Sequence, residues 1–406
     1  MFYRLNIKLD SKTYVLICSF LQVLSCTFFL KIQGFQEINS LLFFVTGLLI
    51  SFSILKLPLF VFSRKNFFNY NSIRSLFIAI PFLTASFYFA EKIMLSTSIQ
   101  IEYADMLPIM HVMVDRFLHG DFSAVYKPIS EIWNGIQPIY LPAMWLPFVF
   151  SSILNVDMRW IPLICIWASV LVCLYRLPYL GNWKCIIFLL GIISLMVWFH
   201  FEKTNNVIRL TEEGIVYFYY VLATLALIRK RPILLGISCA LCMMSRYSMI
   251  GWIPFSIAYL IYSKNYQFLW RYLISFLSVL FLLLIPFGFK PLLLHLTQHR
   301  LYIQQAERVW QESPQYFTKS LGMAKFFGIR GVRLNHAILT IGTFVLPGIF
   351  FLYIKNKQIP FNLVLLSCFV LSITFFYNFI DVSYLYLFYI PVFINLAIVG
   401  WLCMKY

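Results

Sequence analysis

Apolar runs long enough to cross a membrane recur along the chain, and they constrain its fold more than any other feature. One helical span needs about 20 mostly apolar residues. Because 61% of the 406 residues are hydrophobic and 12% are charged, no soluble core could bury this much apolar surface. We therefore predict one all-α, polytopic integral-membrane domain over residues 1–406. The runs lie at 13–30, 41–62, 75–95, 160–176, 184–200, 214–228, 232–262, 268–288, 336–354, 360–379 and 383–403.

Basic residues set the predicted orientation. A net charge of +17 could indicate nucleic-acid binding. The basic residues instead form short clusters between apolar runs, which is typical of the cytoplasmic loops of membrane proteins, so we predict no nucleic-acid partner. The clusters before the first run and between the second and third contain Arg4, Lys8, Lys12, Arg64, Lys65 and Arg74. Their placement predicts that the N-terminus is inside and that the loop after residue 95 is outside.

Two segments decide the number of spans. The stretch 139–154 is short and carries Pro142 and Pro147, so we predict a broken segment that does not cross. The run 232–262 is predicted to form two short spans that meet near Arg246. The result is a bundle of about twelve spans with both ends inside. Its outer segments are 96–138, 201–213 and the basic stretch 289–335.

The stretch "IEYADMLPIMHVMVDRFLHGDF", residues 101–122, interrupts the apolar pattern with carboxylates. From residue 106 its apolar positions follow the i, i+3, i+4, i+7 spacing of one helical face, which predicts an amphipathic helix on the membrane surface. Gly120 is a natural stop. Asp105 stands just before the helix, where it is either a helix cap or a reactive carboxylate.

Metal or redox chemistry is not the favoured interpretation of this chain. His111, Asp115 and His119 share one helical face and could bind a metal, but a polar stripe facing lipid headgroups explains them equally well. The nine cysteines fall in or beside apolar runs, where they behave as small hydrophobic residues. We predict no metal ligands and no cofactor.

The wider pattern around residue 105 resembles a known family. An outer acidic residue and an amphipathic helix are followed by "HGDFSAVY", which contains Gly120 and Tyr126, and then by "QPIYLPAMWLPF" from Gln137. This pattern resembles the first outer loop of the GT-C superfamily of integral-membrane glycosyltransferases, especially the bacterial mannosyltransferase-like members that use polyprenyl-phosphate sugars. The segments 229–255 and 381–393 are similar to later parts of that family.

The resemblance implies an inverting transfer of a sugar, with a mannose-like hexose favoured, from a polyprenyl-phosphate donor to a glycan, lipid or protein hydroxyl. Asp105 would be the base, and Glu102 is its substitute candidate. Arg246 would hold the lipid phosphate with help from Arg300, although a cation that only reaches toward the headgroups explains Arg246 equally well. Tyr126 and Gln137 would line the substrate site through the shared motif.

Other polar residues near span ends are weaker candidates for substrate contact. Glu212 and Glu213 precede a span, where Arg209 could pair with one of them. His299 could line the acceptor site or anchor the loop at the membrane interface. Asp381 could be a second site carboxylate or a helix cap.

Two alternatives remain open. A polymerase or ligase of lipid-linked glycans would place catalysis in 289–335 and make Asp105 incidental. A transporter or flippase of lipid-linked saccharides usually shows broken spans at corresponding places in two halves, and no such repeat is visible in the sequence. The chain also lacks an Asn-x-Ser/Thr site, which favours a bacterial inner membrane with the active site facing the periplasm.

Overall fold

The computed structural model describes residues 10–57, 70–132, 135–175, 183–203, 206–297 and 299–404, and it describes side chains except at 70–78 and 295–300. Within these ranges the chain is all-helical, as predicted, and contains no strand. The helices are α1 Ser11–Cys26, α2 Gln36–Ile54, α3 Tyr70–Ser96, α4 Met106–Leu118, α5 Pro142–Trp145, α6 Phe148–Ile153, α7 Trp160–Leu174, α8 Trp183–Phe201, α9 Val207–Leu210, α10 Glu213–Ile228, α11 Pro232–Met243, α12 Trp252–Tyr262, α13 Tyr266–Leu284, α14 Lys290–Thr297, α15 His299–Glu312, α16 Gln315–Thr318, α17 Val332–Ile354, α18 Phe361–Phe379 and α19 Tyr389–Ile398.

Seven helical segments of the described chain are long and apolar enough to cross a membrane. They are Ser11–Lys31, Gln36–Ile54, Trp183–Phe201, Tyr266–Leu284, Ile329–Ile354, Phe361–Phe379 and Leu385–Cys403. Shorter apolar helices account for the other predicted runs: Pro142–Ile153, Trp160–Leu174, Glu213–Ile228, Pro232–Met243 and Tyr247–Tyr262. The membrane class is therefore supported by length and composition.

Both predicted breaks occur. The stretch 139–154 forms the short helices α5 and α6, with Pro142 opening the first and Pro147 preceding the second. The run 232–262 divides into α11 and α12, and Arg246 lies in the turn between them. Proline supplies no backbone N–H, so it is tolerated at a helix start and favours such breaks.

The centre of the bundle is formed by α18 and by the segment that contains α19. Of the 18-residue windows that define these two spans, 89% and 94% are buried, whereas the window of α13 is only 22% buried. The outer face of α13 exposes Trp270, Ile274, Leu277 and Phe281, which follow one helical stripe. Such a stripe suits contact with lipid chains.

Polar side chains tie the central helices to α1 and α2. Asn395 donates a hydrogen bond to the side-chain oxygen of Gln22 at 2.6 Å, and Gln22 in turn donates to the backbone oxygen of Phe43 at 3.1 Å. The hydroxyl of Ser51 donates to the backbone oxygen of Ser367 at 2.8 Å. Hydrogen bonds of this kind fix the rotation of apolar helices that could otherwise slide against each other.

Contacts between basic segments mark one end of the bundle. The Tyr262 hydroxyl donates to the backbone oxygen of Lys355 at 2.7 Å, and the Lys230 amine lies 5.6 Å from the ring centre of Phe361. The predicted cytoplasmic clusters at 229–231 and 355–357 therefore share one end. The loops that carry the candidate site lie at the opposite ends of the same helices.

Candidate functional site

The predicted amphipathic helix of the first long loop is present as α4, over Met106–Leu118. Its buried face includes Ile109, Met110 and Met113, as the spacing predicted. The helix ends before Gly120, whose φ of 77° lies in the left-handed region that glycine adopts without strain. The carboxylate that precedes the helix is thus held on a packed element.

Asp105 occupies the cap position of α4. Within the described structure, its side chain accepts no capping hydrogen bond from the first turn. Burial raises the pKa of this carboxyl, and the nearby amides of Asp105 and Met106 oppose that effect. The charge of Asp105 also helps to raise the pKa of Tyr140, after the larger effect of burial. The geometry therefore leaves this carboxylate available for a ligand.

Arg246 and two glutamates form a buried ion-pair cluster beside this loop. The guanidinium Nη2 donates to Glu213 and lies 3.3 Å from Glu212 Oε1, and both glutamate side chains are 0% exposed. Glu212 precedes α10 and Glu213 is its first residue, where the positive end of the helix dipole favours a carboxylate. The pairing that the sequence suggested with Arg209 is wrong, because Arg209 packs 5.1 Å from the ring of Tyr103.

Part of this cluster has no partner in the described residues. The second oxygen of each glutamate, Glu212 Oε2 and Glu213 Oε2, makes no hydrogen bond there, and neither does Arg246 Nε. Burial raises the pKa of Glu212, Arg246 opposes this effect, and the charge of Asp105 adds to it. Buried polar atoms without partners are costly, so the cluster has both the donors and the acceptors to hold a polar ligand.

Tyrosines from four segments surround these charges. The hydroxyl of Tyr302 in α15 pairs with that of Tyr247 in the turn that carries Arg246. Tyr384 and Tyr386, which lie just before α19, stack with ring centres 5.4 Å apart and planes 6° apart. Together with Tyr140 these side chains are only partly buried. They provide flat apolar faces and hydroxyl groups next to the carboxylates.

Asp381 forms a second polar pair at the same end. Its Oδ2 lies 2.7 Å from Nδ1 of His336, the pair is largely buried, and Asp381 Oδ1 has no hydrogen-bond partner in the described ranges. The charge of Asp381 acts on Tyr302, as does that of Arg246. Asp381 therefore lies close enough to influence the tyrosine wall of the cluster.

Two predicted substrate residues instead brace their own loop. The Tyr126 hydroxyl donates to the backbone oxygen of Tyr140 at 3.2 Å and accepts from the indole N–H of Trp145 at the same distance. The Gln137 amide donates to the backbone oxygen of Tyr126 at 2.6 Å. These contacts hold the extended stretch that presents Tyr140 to the cluster.

Other predicted residues lie outside the cluster or outside the described side chains. Glu102 is exposed, so it lacks the partial burial of Asp105. His299 and Arg300 begin α15, but their side chains are not among those described. The described residues contain no group of three or more histidine, cysteine, aspartate or glutamate side chains arranged to hold a metal ion, which leaves the metal interpretation of His111, Asp115 and His119 without support.

Sequence reasoning missed two polar residues, His336 beside Asp381 and Lys325 in the loop after α16. His336 stands at the edge of a predicted span. A polar side chain there indicates that a partner exists, but the sequence does not show that the partner is Asp381, 45 residues away. Lys325 fastens the loop after α16 by donating to the backbone oxygens of Ser320 at 2.6 Å and Gln36 at 3.2 Å. Burial lowers the pKa of Lys325 to about 8. A lone lysine in a basic loop carries no signal of this role.

The site can accept a proton, pair with an anion and stack against a flat ligand, all at one end of a membrane-type bundle. No protein-family description, curated protein or solved structure matches this chain. A functional conclusion must therefore come from the chemistry of these side chains.

Proposed function

We propose that the chain is an inverting glycosyltransferase that moves a hexose, with a mannose-like sugar favoured, from a polyprenyl phosphate to a hydroxyl of a glycan, lipid or protein. The observation that carries the proposal is Asp105, an uncapped and partly buried carboxylate beside the Arg246 cluster. The resemblance of the segment from Asp105 to Phe148 to the first outer loop of the GT-C superfamily, described above, also supports it.

Such a transfer needs one base and one anion-binding group. The acceptor oxygen attacks the anomeric carbon of the donor sugar, its proton passes to the Asp105 carboxylate, and the bond to the phosphate oxygen breaks. The phosphate leaves as a stable anion, so the second carboxylic acid that a glycosidase needs for its leaving group is unnecessary. Positive charge near the phosphate stabilises the departing group.

Arg246 supplies that charge in the proposal. Its guanidinium contacts both glutamates through Nη2, and a guanidinium has further N–H donors that can bind phosphate oxygens. A proton on Glu212, favoured by its burial, would leave the cluster electrically neutral before the donor binds. Glu213 then acts as the group that orients Arg246.

We also propose a twelve-span, GT-C-like bundle in a bacterial inner membrane, with the site facing the periplasm. Counting α3 and the shorter helices α7, α10, α11 and α12 with the seven longer segments supports twelve crossings. Strict alternation then brings every predicted cytoplasmic cluster to one side, opposite the candidate site. This is the orientation that the distribution of positive charge favours.

One structural observation favours a second candidate, a transporter or flippase of lipid-linked saccharides. Arg246 lies in the turn where the short helices α11 and α12 meet and pairs with two buried glutamates, and charged groups at such breaks often mark a transport path. The glycan polymerase or ligase alternative rests on 289–335, where the structure does not describe the side chains of His299 and Arg300.

The test measures sugar transfer in membranes that contain the wild-type protein, Asp105→Asn or Asp115→Asn. Radiolabelled polyprenyl-phosphate sugars serve as donors, and a lipid extract supplies the acceptor. Asp115 is the matched control because it is exposed on the same helix. We expect Asp105→Asn to lower the rate by roughly 10²–10⁴-fold, the usual contribution of a general base, while Asp115→Asn leaves it unchanged.

The outcomes separate the candidates. Full activity of Asp105→Asn would remove the carboxylate from the chemistry and move catalysis to the 289–335 segment. Movement of an intact labelled lipid across the membrane without any new product would identify the transporter instead.

A further inference from the structure

A separate cavity of about 540 Å³ opens between the turn after α4 and the end of α13. Its walls are formed by one backbone turn, three aromatic rings and two side chains of opposite charge. The lining residues are Gly120, Asp121, Phe122, Ser123, Tyr126, Pro286, Phe287 and Lys290. Its volume falls within the range of small-molecule sites, which is roughly 300–1,000 Å³.

Two charged side chains of opposite sign line the cavity, and each is held by its own hydrogen bonds. Asp121 Oδ1 accepts from the Ser123 hydroxyl at 3.0 Å and from the Ala124 amide at 3.1 Å. The Lys290 amine reaches the backbone oxygen of Ser123 at 3.5 Å, a length at which a hydrogen bond is weak. One carboxylate and one ammonium group therefore line the same opening.

The cavity continues into an apolar face. Phe281, Leu282, Ile285 and Phe289 are 67%, 65%, 57% and 71% exposed, and they flank the cavity residues Pro286 and Phe287. Because α13 is one of the seven span-like helices, its end lies where a bilayer passes from hydrocarbon to headgroups. A ligand with a polar head and apolar chains matches this sequence of surfaces.

The cavity is distinct from the candidate catalytic site. Asp105 precedes α4 and Gly120 follows it, and the 13 residues of that helix correspond to roughly 20 Å at 1.5 Å per residue. A sugar joined directly to a phosphate in the cavity could not reach Asp105. The occupant is therefore not the donor lipid in its reactive position.

We propose that this cavity binds the headgroup of a bilayer aminophospholipid of the phosphatidylethanolamine type. Lys290 pairs with the phosphate, Asp121 accepts hydrogen bonds from the primary ammonium group, and the acyl chains lie along the exposed face of α13. A choline head has no N–H donor for Asp121 and a glycerol head has no positive charge. The charge pattern of the cavity thus selects a primary ammonium head.

The test uses the purified, delipidated full-length protein and native mass spectrometry. Short-chain phosphatidylethanolamine, phosphatidylglycerol, phosphatidylcholine and diacylglycerol are compared as ligands. We expect phosphatidylethanolamine to bind best and Lys290→Ala to weaken all three phospholipids by about tenfold, which corresponds to one charge-assisted hydrogen bond. The exposed Lys319→Ala is the matched control and leaves binding unchanged.

Asp121→Asn is the decisive variant because it keeps the oxygen that accepts from Ser123 and Ala124. We expect this change to weaken phosphatidylethanolamine to the level of phosphatidylglycerol without changing the thermal unfolding midpoint. Ser123→Trp, which fills the opening from an exposed turn, should abolish binding of every lipid.

The assignment would be overturned by equal binding of phosphatidylethanolamine and diacylglycerol, or by unchanged phospholipid binding by Lys290→Ala. It would also be overturned if a polyprenyl phosphate, added to the comparison, bound in preference to phosphatidylethanolamine. The last result would make the cavity a waiting site for the carrier lipid. Displacement of phosphatidylethanolamine by inorganic phosphate alone would also contradict the proposal, since the apolar face would then contribute nothing.

Discussion

Burial and backbone amides act on the Asp105 carboxylate in opposite directions, and burial is the larger effect. A cap residue normally gains stability from hydrogen bonds to the first helical turn. Asp105 makes no regular side-chain capping bond to α4, and the amides that lower its pKa are its own and that of Met106. The position instead keeps a carboxylate partly desolvated at the edge of the tyrosine-lined cluster.

This environment predicts the pH dependence of activity. In the proposed mechanism Asp105 is the base, and its folded pKa lies above the ordinary 3.8. The carboxylate therefore becomes protonated, and we expect the transfer rate to fall, at a pH above that value. The same proton adds stability as the pH falls through the folded pKa. The measurement is the transfer rate from acidic to neutral pH. If the residual transfer rate of Asp105→Asn fell at the same acidic pH as that of the wild type, the group that titrates would not be Asp105.

We expect replacement of Arg246 to lower the stability of the folded protein strongly. Replacing it with methionine leaves Glu212 and Glu213 buried without their cation, which typically costs about 3–5 kcal/mol. We expect a clearly lower thermal unfolding midpoint in detergent, and substantial recovery when both glutamates are also changed to glutamine. The exposed Arg330→Met is the control. If Arg246→Met were as stable as the wild type, the two glutamates would have to be in contact with water in place of the arginine.

The candidate residues were visible in the sequence because charge is rare in this chain, but their partners were not. Asp105, Glu212 and Asp381 each stand out at the edge of an apolar run. The Arg246 contact with Glu213 spans 33 residues and the His336 contact with Asp381 spans 45. Only the packing of helices brings such residues together, and periodicity within one helix contains no information about it.

At the scale of elements, α11 and α13 pack so closely that only glycine fits at position 236. A Cβ at Gly236 would collide with the backbone oxygen of Tyr272 and lie 2.8 Å from Phe276 N. Small residues allow membrane helices to approach closely and gain dispersion contacts. The α11 helix also leads into the turn that carries Arg246.

The matched prediction compares two helical glycines. Gly236→Ala forces α11 away from α13 and should cost about 1–3 kcal/mol, as overpacking does. Gly348→Ala meets open space in α17, so its effect should remain within about 1 kcal/mol of zero or be stabilising. Thermal unfolding of both purified variants measures the difference. Equal unfolding midpoints of the two variants would mean that α11 can move away from α13 without loss of stability.

Helix positions followed from the sequence wherever one physical rule dominated. Apolar length predicted the long spans, and Pro142 and Pro147 predicted the break in 139–154. The segment 289–335 was different, because it folds into α14, α15 and α16 and rests on its own small core around Phe317 and Val382. That core includes a residue from the turn before α19, so local patterns could not reveal it.

At the scale of the whole molecule, the separation of basic clusters from the candidate site predicts sidedness. The native cysteines are all buried except the half-buried Cys165, so an impermeant maleimide should leave the wild-type protein nearly unlabelled. Gln315→Cys should be labelled in intact spheroplasts and Asn356→Cys only after permeabilisation. Both replaced residues are exposed. Labelling of Asn356→Cys in intact spheroplasts would contradict the proposed topology.

The central placement of α18 and α19 has a consequence for biogenesis. These helices follow the others in the chain, yet they form the middle of the bundle and pack against α2, α10 and α1. During synthesis the earlier helices must therefore wait in the membrane before Gln22 can pair with Asn395 and before Ser51 can pair with the backbone of Ser367. An insertase or chaperone that shields such groups would be most needed before residue 361 emerges, and ribosome stalling in that interval should send the chain to membrane proteolysis.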